Sequence, residues 1–205
     1  MSDAETPAAR ARKRVHYGTG RTALLDAAVR VVARGGLRKL TYRAVAEEAG
    51  VTHGLVVHHF GSRDALIEAA LAHAVRTSTS TSALEPGTGK VEDFAAGLAD
   101  MVTGVPALQS FQYELMLESR RRPELLPQIR TLYEEYFAAT GRELDRILPD
   151  GTSPALTRLV FASLEGLVLH QLVLGEPDVT EAALDELRTL LTERARQGGD
   201  RPHTS

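Results

Sequence analysis

The sequence of 205 residues contains no cysteine. Disulfide bonds, thiolate nucleophiles and cysteine-based metal sites are therefore excluded. The first 17 residues are polar and basic and lack the apolar segment of a signal peptide. No apolar run approaches the ~20 residues that a transmembrane helix requires. These absences indicate a cytoplasmic protein that does not enter a membrane.

Signatures of catalysis and of bound cofactors are also missing. The chain has no glycine-rich phosphate loop, no Gly-x-Ser-x-Gly nucleophile turn and no Glu-x-x-His metal motif. We therefore expect no catalytic residues, no metal ion and no cofactor. A helical, metal-dependent enzyme is disfavoured for the same reason.

Charge is distributed unevenly, although the formal net charge is only −3. Residues 1–66 contain 11 Lys and Arg against 6 Asp and Glu, whereas residues 67–205 contain 13 against 21. Four of the early cations are Arg10, Arg12, Lys13 and Arg14. The basic charge of residues 1–66 suggests that this part of the chain binds a polyanion. The acidic charge of residues 67–205 suggests that the rest has a different task. Charge alone leaves open that the early cations form a solvated tail.

Apolar residues recur at three- and four-residue spacing along nearly the whole chain, which is the period of amphipathic helices. No segment alternates apolar and polar residues as a half-buried strand does, and the chain contains no internal repeat. The pattern predicts an all-α fold of about nine helices. They are expected over 21–34, 41–49, 52–60, a long segment beginning at Ser62, 91–103, 107–121, 124–148, 154–174 and 179–196.

The segment "AVAEEAGVTHGLVVHHF" (44–60) interrupts a helix at one glycine and then restarts it. Ala46 is small where two helices must cross closely, and Gly50 permits the positive φ of a tight turn. Val56 would anchor the second helix on the core. These features fit a helix-turn-helix whose second helix is free to enter a DNA major groove. A plain corner between two helices would show the same spacing.

The surrounding residues carry a more specific pattern. Residues 21–66 contain an "LxAA" helix, a glycine before Leu37, and the motifs "TYRxVAxxAGVT", "HHF" and "SRDAL". Over these residues the chain resembles the DNA-binding domain of the tetracycline-repressor (TetR) family of transcriptional regulators. The rest of the chain is similar to the family only in its helical architecture.

The resemblance implies which residues contact DNA. Thr41, Tyr42 and Arg43 open the first helix of the motif, where the family touches phosphates and sometimes a base. Arg63 matches a basic residue that usually holds a phosphate at the start of the fourth helix, where the helix N-terminus also attracts anions. The implied recognition surface consists of Thr52, His53, Gly54, Leu55, Val57 and His58.

Two positions of this surface depart from the family pattern. Position 53 is commonly Lys or Arg in such sequences and is His here, and position 57 is usually a phosphate-contacting Tyr and is Val here. With Leu55 nearby, the helix offers more apolar than charged surface. It suits contact with thymine methyl groups better than bidentate recognition of guanine.

The clustered histidines are better explained by packing and DNA contact than by metal binding. His59 and Phe60 are expected to pack inside the head, as they do in the family. His53 and His58 are five residues apart, whereas a helical metal pair is usually four residues apart.

The resemblance also implies a pocket for a small-molecule effector in the remaining helices. Aromatic and methionine side chains concentrate between residues 94 and 137, where most of them are expected to form core. Such a lining favours a small, largely apolar effector. The expected lining residues are Phe111, Met116, Tyr133 and Phe137, with Glu165 and His170 as polar contacts.

The last two long helices are expected to form a homodimer. The segment 154–174 is apolar nearly all round and contains Gly166, and the segment 179–196 has its own leucine stripe. In the family these helices pair with their copies in a second subunit. The expected organisation is a basic arm (1–17), a helix-turn-helix domain (18–66) and an effector-binding and dimerisation domain (67–205).

The sequence thus predicts a ligand-responsive, homodimeric transcriptional regulator, most simply a repressor, that binds a palindromic double-stranded DNA operator. The alternative is an all-α small-molecule-binding protein whose helix-turn-helix head is only structural. The basic head and arm favour the regulator, because a ligand scavenger needs neither.

Overall fold

A computed structural model of the protein describes residues 17–80 and 88–199. Within these ranges the regular structure is helical and contains no β-strand, which confirms the predicted all-α class. Short 3-10 turns at Leu37–Lys39, Val91–Asp93 and Pro123–Leu125 separate some of the helices. The helices are α1 (Tyr17–Gly35), α2 (Tyr42–Ala49), α3 (His53–Phe60), α4 (Arg63–Ser80), α5 (Leu98–Gly104), α6 (Pro106–Glu118), α7 (Leu126–Ile147), α8 (Pro154–Leu174) and α9 (Pro177–Gly199).

Local sequence signals account for the helix-turn-helix that α2 and α3 form. Thr41 caps α2, because its hydroxyl accepts a hydrogen bond from the Ala44 amide at 3.1 Å. Gly50 ends α2 in the left-handed conformation, with φ 66° and ψ 33°. Val45 and Val56 are completely buried. The predicted turn and the anchoring of the second helix are therefore confirmed.

The head, which we define as α1 to α4, shares its hydrophobic core with the body, which comprises α5 to α9. Leu108, Phe111 and Leu115 of α6 join buried residues of α1 and α4 in one continuous cluster. Helix α4 also crosses residue 66, where we expected the domain boundary. Because α6 packs directly on α1, a displacement of α6 reaches the head without an intervening linker.

A second core lies within the body, between α5, the C-terminal half of α7, α8 and α9. The predicted helix 91–103 is wrong in its first turns, since α5 begins only at Leu98 after a 3-10 turn at Val91–Asp93. Ala95 and Gly97 adopt positive φ values of 53° and 78°. A continuous right-handed helix cannot contain these conformations.

Helix α8 is long enough and apolar enough to cross a membrane by length and composition alone, and 33% of its most apolar window is buried inside the protein. This corrects our expectation that no segment approaches that length. Its outward-facing small and apolar residues recur at spacings of four and three, and Leu159 and Val173 are 65% and 70% exposed. We call this set the α8 stripe: Ala155, Leu159, Ala162, Gly166, Leu169 and Val173.

Candidate functional site

The outer surface of α3 contains five of the six residues that were expected to form the recognition surface. Burial of Val56 and Phe60 turns the opposite side of the helix toward solvent. Leu55 is half-buried between these two sides. The exposed residues are Thr52, His53, Gly54, Val57 and His58.

The packing of His59 and Phe60 follows the prediction only in part. Phe60 is buried, and the guanidinium of Arg21 lies 5.3 Å from its ring centroid. His59 is half-buried, with its ring centroid 5.7 Å from that of His58 and 6.2 Å from that of Phe60. His59 is thus a boundary residue rather than a core residue.

The expected DNA contact of Tyr42 stays a prediction, and the structure places its side chain in a different contact. Its ring packs edge-on against His53, with the centroids 5.8 Å apart. Its hydroxyl is buried and has no hydrogen-bond partner among the described residues. A phosphate contact from Tyr42 would require its hydroxyl to leave this position, whereas the neighbouring Thr41 and Arg43 are exposed.

Arg63 has a structural role that the sequence did not suggest. Its Nε donates to the Leu40 carbonyl at 2.9 Å, and its Nη2 donates to the Leu37 carbonyl at 2.7 Å. The guanidinium therefore ties the start of α4 to the connection between α1 and α2. The expected phosphate contact would have to use the remaining donors of the side chain. The other expected phosphate ligands, Arg10, Arg12, Lys13 and Arg14, lie outside the described residues.

A salt bridge that sequence analysis missed joins the helix-turn-helix to α1. The Glu48 carboxylate of α2 binds the Arg30 Nε at 2.6 Å and also pairs with Arg34. Hydrogen bonds from Arg30 and then Arg34 hold the pKa of Glu48 below its ordinary value. The sequence shows that Arg30 and Arg34 are one helical turn apart and therefore lie on the same face of α1. It does not show that Glu48 of α2 is their partner.

The body contains a cluster of aromatic and polar side chains between α6, α7 and α8. The Tyr133 hydroxyl of α7 donates to the Glu165 carboxylate of α8 and also contacts the Met116 sulfur of α6. The Tyr113 hydroxyl of α6 donates to the Glu165 backbone carbonyl at 3.0 Å. Three of the expected pocket residues, Met116, Tyr133 and Glu165, therefore meet at one place.

Phe161 of α8 lies at the centre of the rings in this cluster. Its centroid is 5.5 Å from that of Tyr136 in a stacked arrangement, and 5.1 Å from that of Phe137 in an edge-to-face arrangement. Tyr133 meets Phe161 edge-on at 5.8 Å. Phe137, which was also expected to line a pocket, therefore belongs to the cluster. Tyr113, Tyr136 and Phe161 were not among the expected residues, although Phe161 and Glu165 are one helical turn apart in the sequence.

The electrostatic environment of the cluster is negative. Burial is the largest cause that raises the pKa values of Tyr113 and Tyr133. The charge of Glu165 raises both further, and Tyr133 also donates a hydrogen bond to that carboxylate. Both phenols therefore stay protonated at neutral pH and can donate hydrogen bonds.

Two expected pocket residues lie elsewhere. Phe111 is completely buried in the core that joins α6 to α1, because Leu108, Phe111 and Leu115 form the head-facing stripe of α6. His170 is exposed and is not among the residues of the aromatic cluster. Residues five positions apart on an α-helix point about 140° apart around its axis, so His170 points away from Glu165.

Two polar contacts connect α6 and the segment that follows it to the head. The Glu114 carboxylate of α6 accepts a hydrogen bond from the Leu37 amide at 3.0 Å. Arg122, which follows α6, binds the Asp64 carboxylate of α4 at 2.8 Å. Glu114 directly follows Tyr113, so neighbouring residues of one helix contact the aromatic cluster and the head.

Models of two protein families match the chain. The model described as bacterial regulatory proteins, tetR family, matches residues 24–70. The model described as the tetracyclin repressor-like C-terminal domain matches residues 89–193. The chain belongs to the TetR family of transcriptional regulators, with an N-terminal DNA-binding domain and a C-terminal ligand-binding domain. Regulators of this family bind DNA and are not enzymes.

Individual relatives agree with this assignment. The HTH-type transcriptional regulator BetI of Burkholderia thailandensis is 29% identical over 189 residues, which cover 85% of this chain and 95% of that protein. A TetR-family member from Streptomyces coelicolor is 31% identical, with a TM-score of 0.66 over 84% of this chain and 97% of its own. The multidrug binding protein EbrR complexed with proflavin is also 31% identical, with a TM-score of 0.58 over 84% and 99%.

Proposed function

We propose that the protein is a cytoplasmic, homodimeric repressor that binds a palindromic operator and leaves it when its body binds a small effector. The observation that carries this proposal is the shared core. An exposed recognition surface on α3 and an aromatic cluster in the body are linked through α6, which packs on α1. The solved complex of the relative EbrR with a small molecule supports an effector-binding body in this chain.

Sequence-specific DNA binding is supported by the surface of α3. Its exposed side chains include polar groups at Thr52, His53 and His58, which can bond to base edges, and an apolar group at Val57. The buried side of the helix fixes their direction, since Val56 and Phe60 anchor it. A recognition helix held in this way enters the major groove as a rigid unit.

A homodimer is supported by the α8 stripe. The stripe leaves large apolar side chains exposed in the single chain, and α9 adds Val179 and Leu190 at 60% and 61% exposure. Apolar surface of this extent usually marks an interface. The α8 stripe contains Ala155, Ala162 and Gly166, which permit close approach of a second α8. A two-fold axis through this surface would set the two α3 helices about one DNA turn apart, ~34–36 Å, or a multiple of it.

The two heads of the dimer can be arranged in a way that fits the operator or in a way that does not. The effector releases the protein from DNA only if it binds the arrangement that does not fit more tightly than the one that does. Helix α4 can transmit this change, because it begins at Arg63 beside the α1–α2 connection and packs against α6 and α7 of the body. The contact of Glu114 with Leu37 adds a second route through α6. Both routes end at the α1–α2 connection, because Arg63 holds the carbonyl of the same Leu37.

The proposal is tested by selecting genomic fragments on the purified protein and sequencing those retained. We expect a palindromic site, and Thr52→Ala should cost about 1–3 kcal/mol on that site and little on random DNA. Thr131→Ala, at an exposed position of α7, is the matched control. If the retained fragments are not enriched in any sequence, the proposal that the protein is a repressor is contradicted. It would favour the alternative of a ligand-binding protein with a structural head.

A further inference from the structure

Glu165 is a half-buried carboxylate without a cationic partner. Its side chain accepts one hydrogen bond, from the Tyr133 hydroxyl. In the part of the chain that the structure describes, no Lys, Arg or His forms an ion pair with it. Removing a carboxylate from water is costly unless an opposite charge or several hydrogen bonds replace the lost hydration. The site therefore has negative charge that a bound cation can compensate.

Aromatic side chains lie on the side of Glu165 that contacts Tyr133. Tyr133, Tyr136 and Phe137 of α7 surround Phe161 of α8, with ring centroids 5.1–5.8 Å from that of Phe161. Aromatic faces are electron-rich and attract cations, most strongly when the cation has lost its water. A planar ligand can stack on such rings while its charge lies near the carboxylate.

The cluster already holds a cation on its outer side. The Arg158 guanidinium lies 4.6 Å from the centroid of the Phe137 ring. Arg158 precedes Glu165 by two helical turns, about 10 Å along α8, so it does not neutralise that carboxylate. At the side of the cluster that contacts Glu165, burial raises the pKa values of Tyr113 and Tyr133, and the charge of Glu165 raises them further.

We propose that this cluster binds a flat, hydrophobic organic cation, whose charge takes the place of the Tyr133 hydroxyl at the Glu165 carboxylate. A neutral apolar ligand would cover the carboxylate without compensating it, so this refines the largely apolar effector expected from the sequence. The role of this ligand as an effector rests on the proposed function. The binding itself does not, and it is measured without DNA.

The test compares 10-methylacridinium, a planar cation, with acridine in a buffer alkaline enough to keep acridine uncharged. The two probes have nearly the same shape and differ in charge. With the full-length protein, titration calorimetry should show the cation bound at least about tenfold more tightly than the neutral probe. Glu165→Gln should reduce this preference to within about twofold and leave acridine binding unchanged. Glu134→Gln, at an exposed position beside Tyr133, should retain the preference.

A second variant covers the case in which Glu165→Gln does not fold, which a thermal melt would show. Tyr133→Phe retains the ring and removes the hydroxyl that occupies the carboxylate, so it should bind 10-methylacridinium more tightly than the wild type. The proposal is overturned if the wild type binds neither probe or binds both with equal affinity. It is also overturned if folded Glu165→Gln keeps the full preference for the cation, or if folded Tyr133→Phe binds the cation more weakly than the wild type does. A separate gel shift distinguishes the two claims. A protein that binds its operator without a preference for the cation retains the proposed function and loses this inference.

Discussion

Val57 is one of the two side chains at which the recognition helix departs from the family pattern. It is 37% exposed on the outer side of α3, where the family usually has Tyr. Val57→Tyr should strengthen binding to operator and random DNA alike, by about 1 kcal/mol, because a phenol can donate to a backbone phosphate. Fluorescence anisotropy with both DNAs measures the change. Val57→Phe, which adds the ring without the hydroxyl, should give little of this gain, and weaker binding by a folded Val57→Tyr protein would contradict the assignment.

The pairing of Glu48 with Arg30 and Arg34 makes the stability of the head depend on pH. The folded-state pKa of Glu48 is lowered, so its contribution is complete above the ordinary carboxyl pKa of about 4.3 and is lost as the pH falls through the lowered value. Glu48→Gln should reduce the free energy of unfolding near neutral pH by at most about 1 kcal/mol, since the pair is near the surface.

The measurement is denaturant unfolding as a function of pH. The difference between Glu48→Gln and wild type should disappear in acid, where both side chains are neutral. Glu47→Gln removes the charge of the exposed neighbouring residue and is the control. A difference that persists unchanged at acid pH would mean that packing, rather than the ion pairs, is responsible.

Among the elements, α6 has two faces with different partners. Leu108 and Phe111 face the head core, Tyr113 and Met116 face the aromatic cluster, and Glu114 accepts from Leu37. Glu114→Ala leaves the Leu37 amide without this acceptor. It should reduce the effect of an effector on operator affinity, expected at roughly 5–150-fold, toward no effect.

The experiment uses a ligand that raises the thermal midpoint of the protein and measures operator affinity with and without it. Glu114→Gln keeps an acceptor oxygen and should retain most of the response. The ligand should still stabilise Glu114→Ala, because the aromatic cluster is untouched. A full response in Glu114→Ala would show that coupling does not pass through this contact.

The whole molecule is expected to be a dimer through α8 and α9. Leu187 of α9 is unsuitable for testing the dimer, because it packs against the second core of its own subunit. Leu159 is a sharper test, because it is 65% exposed and an arginine there buries a charge only in the dimer. Light scattering should show monomers for Leu159→Arg and Gly166→Arg. Ala138→Arg, at an exposed position of α7, should remain dimeric, and a wild-type monomer at micromolar concentration would refute the dimer.

Electrostatic attraction between the basic N-terminal segment and DNA should strengthen the binding of the whole protein to any DNA sequence. Removal of residues 1–16 should weaken binding to all sequences and reduce the slope of log affinity against log salt by about 0.9 for each lost phosphate contact. The segment contains Arg10, Arg12, Lys13 and Arg14. An unchanged salt slope in the truncated protein would show that these cations do not contact DNA.

The helices and the helix-turn-helix could be predicted because their signals are local. Helical periodicity, the capping hydroxyl of Thr41 and the positive φ of Gly50 act within a few residues of chain. The same reasoning failed at 91–97, where Ala95 adopts a positive φ that nothing in its local sequence demands. Nor did it give the burial of the Tyr42 hydroxyl, because that depends on how α2 and α3 pack together.

The sequence by itself determined the all-helical class, the family, the turn at Gly50 and the side of α3 that faces outward. Tertiary structure alone decided which side of each apolar helix meets which neighbour. Helix α8 is apolar nearly all round, so its sequence does not specify that Glu165 turns toward Tyr133 while His170 turns outward. Contacts such as Leu37 with Glu114 join residues 77 positions apart. No local signal encodes them, because they arise only when helices pack and their rotations are fixed by the burial of the two cores.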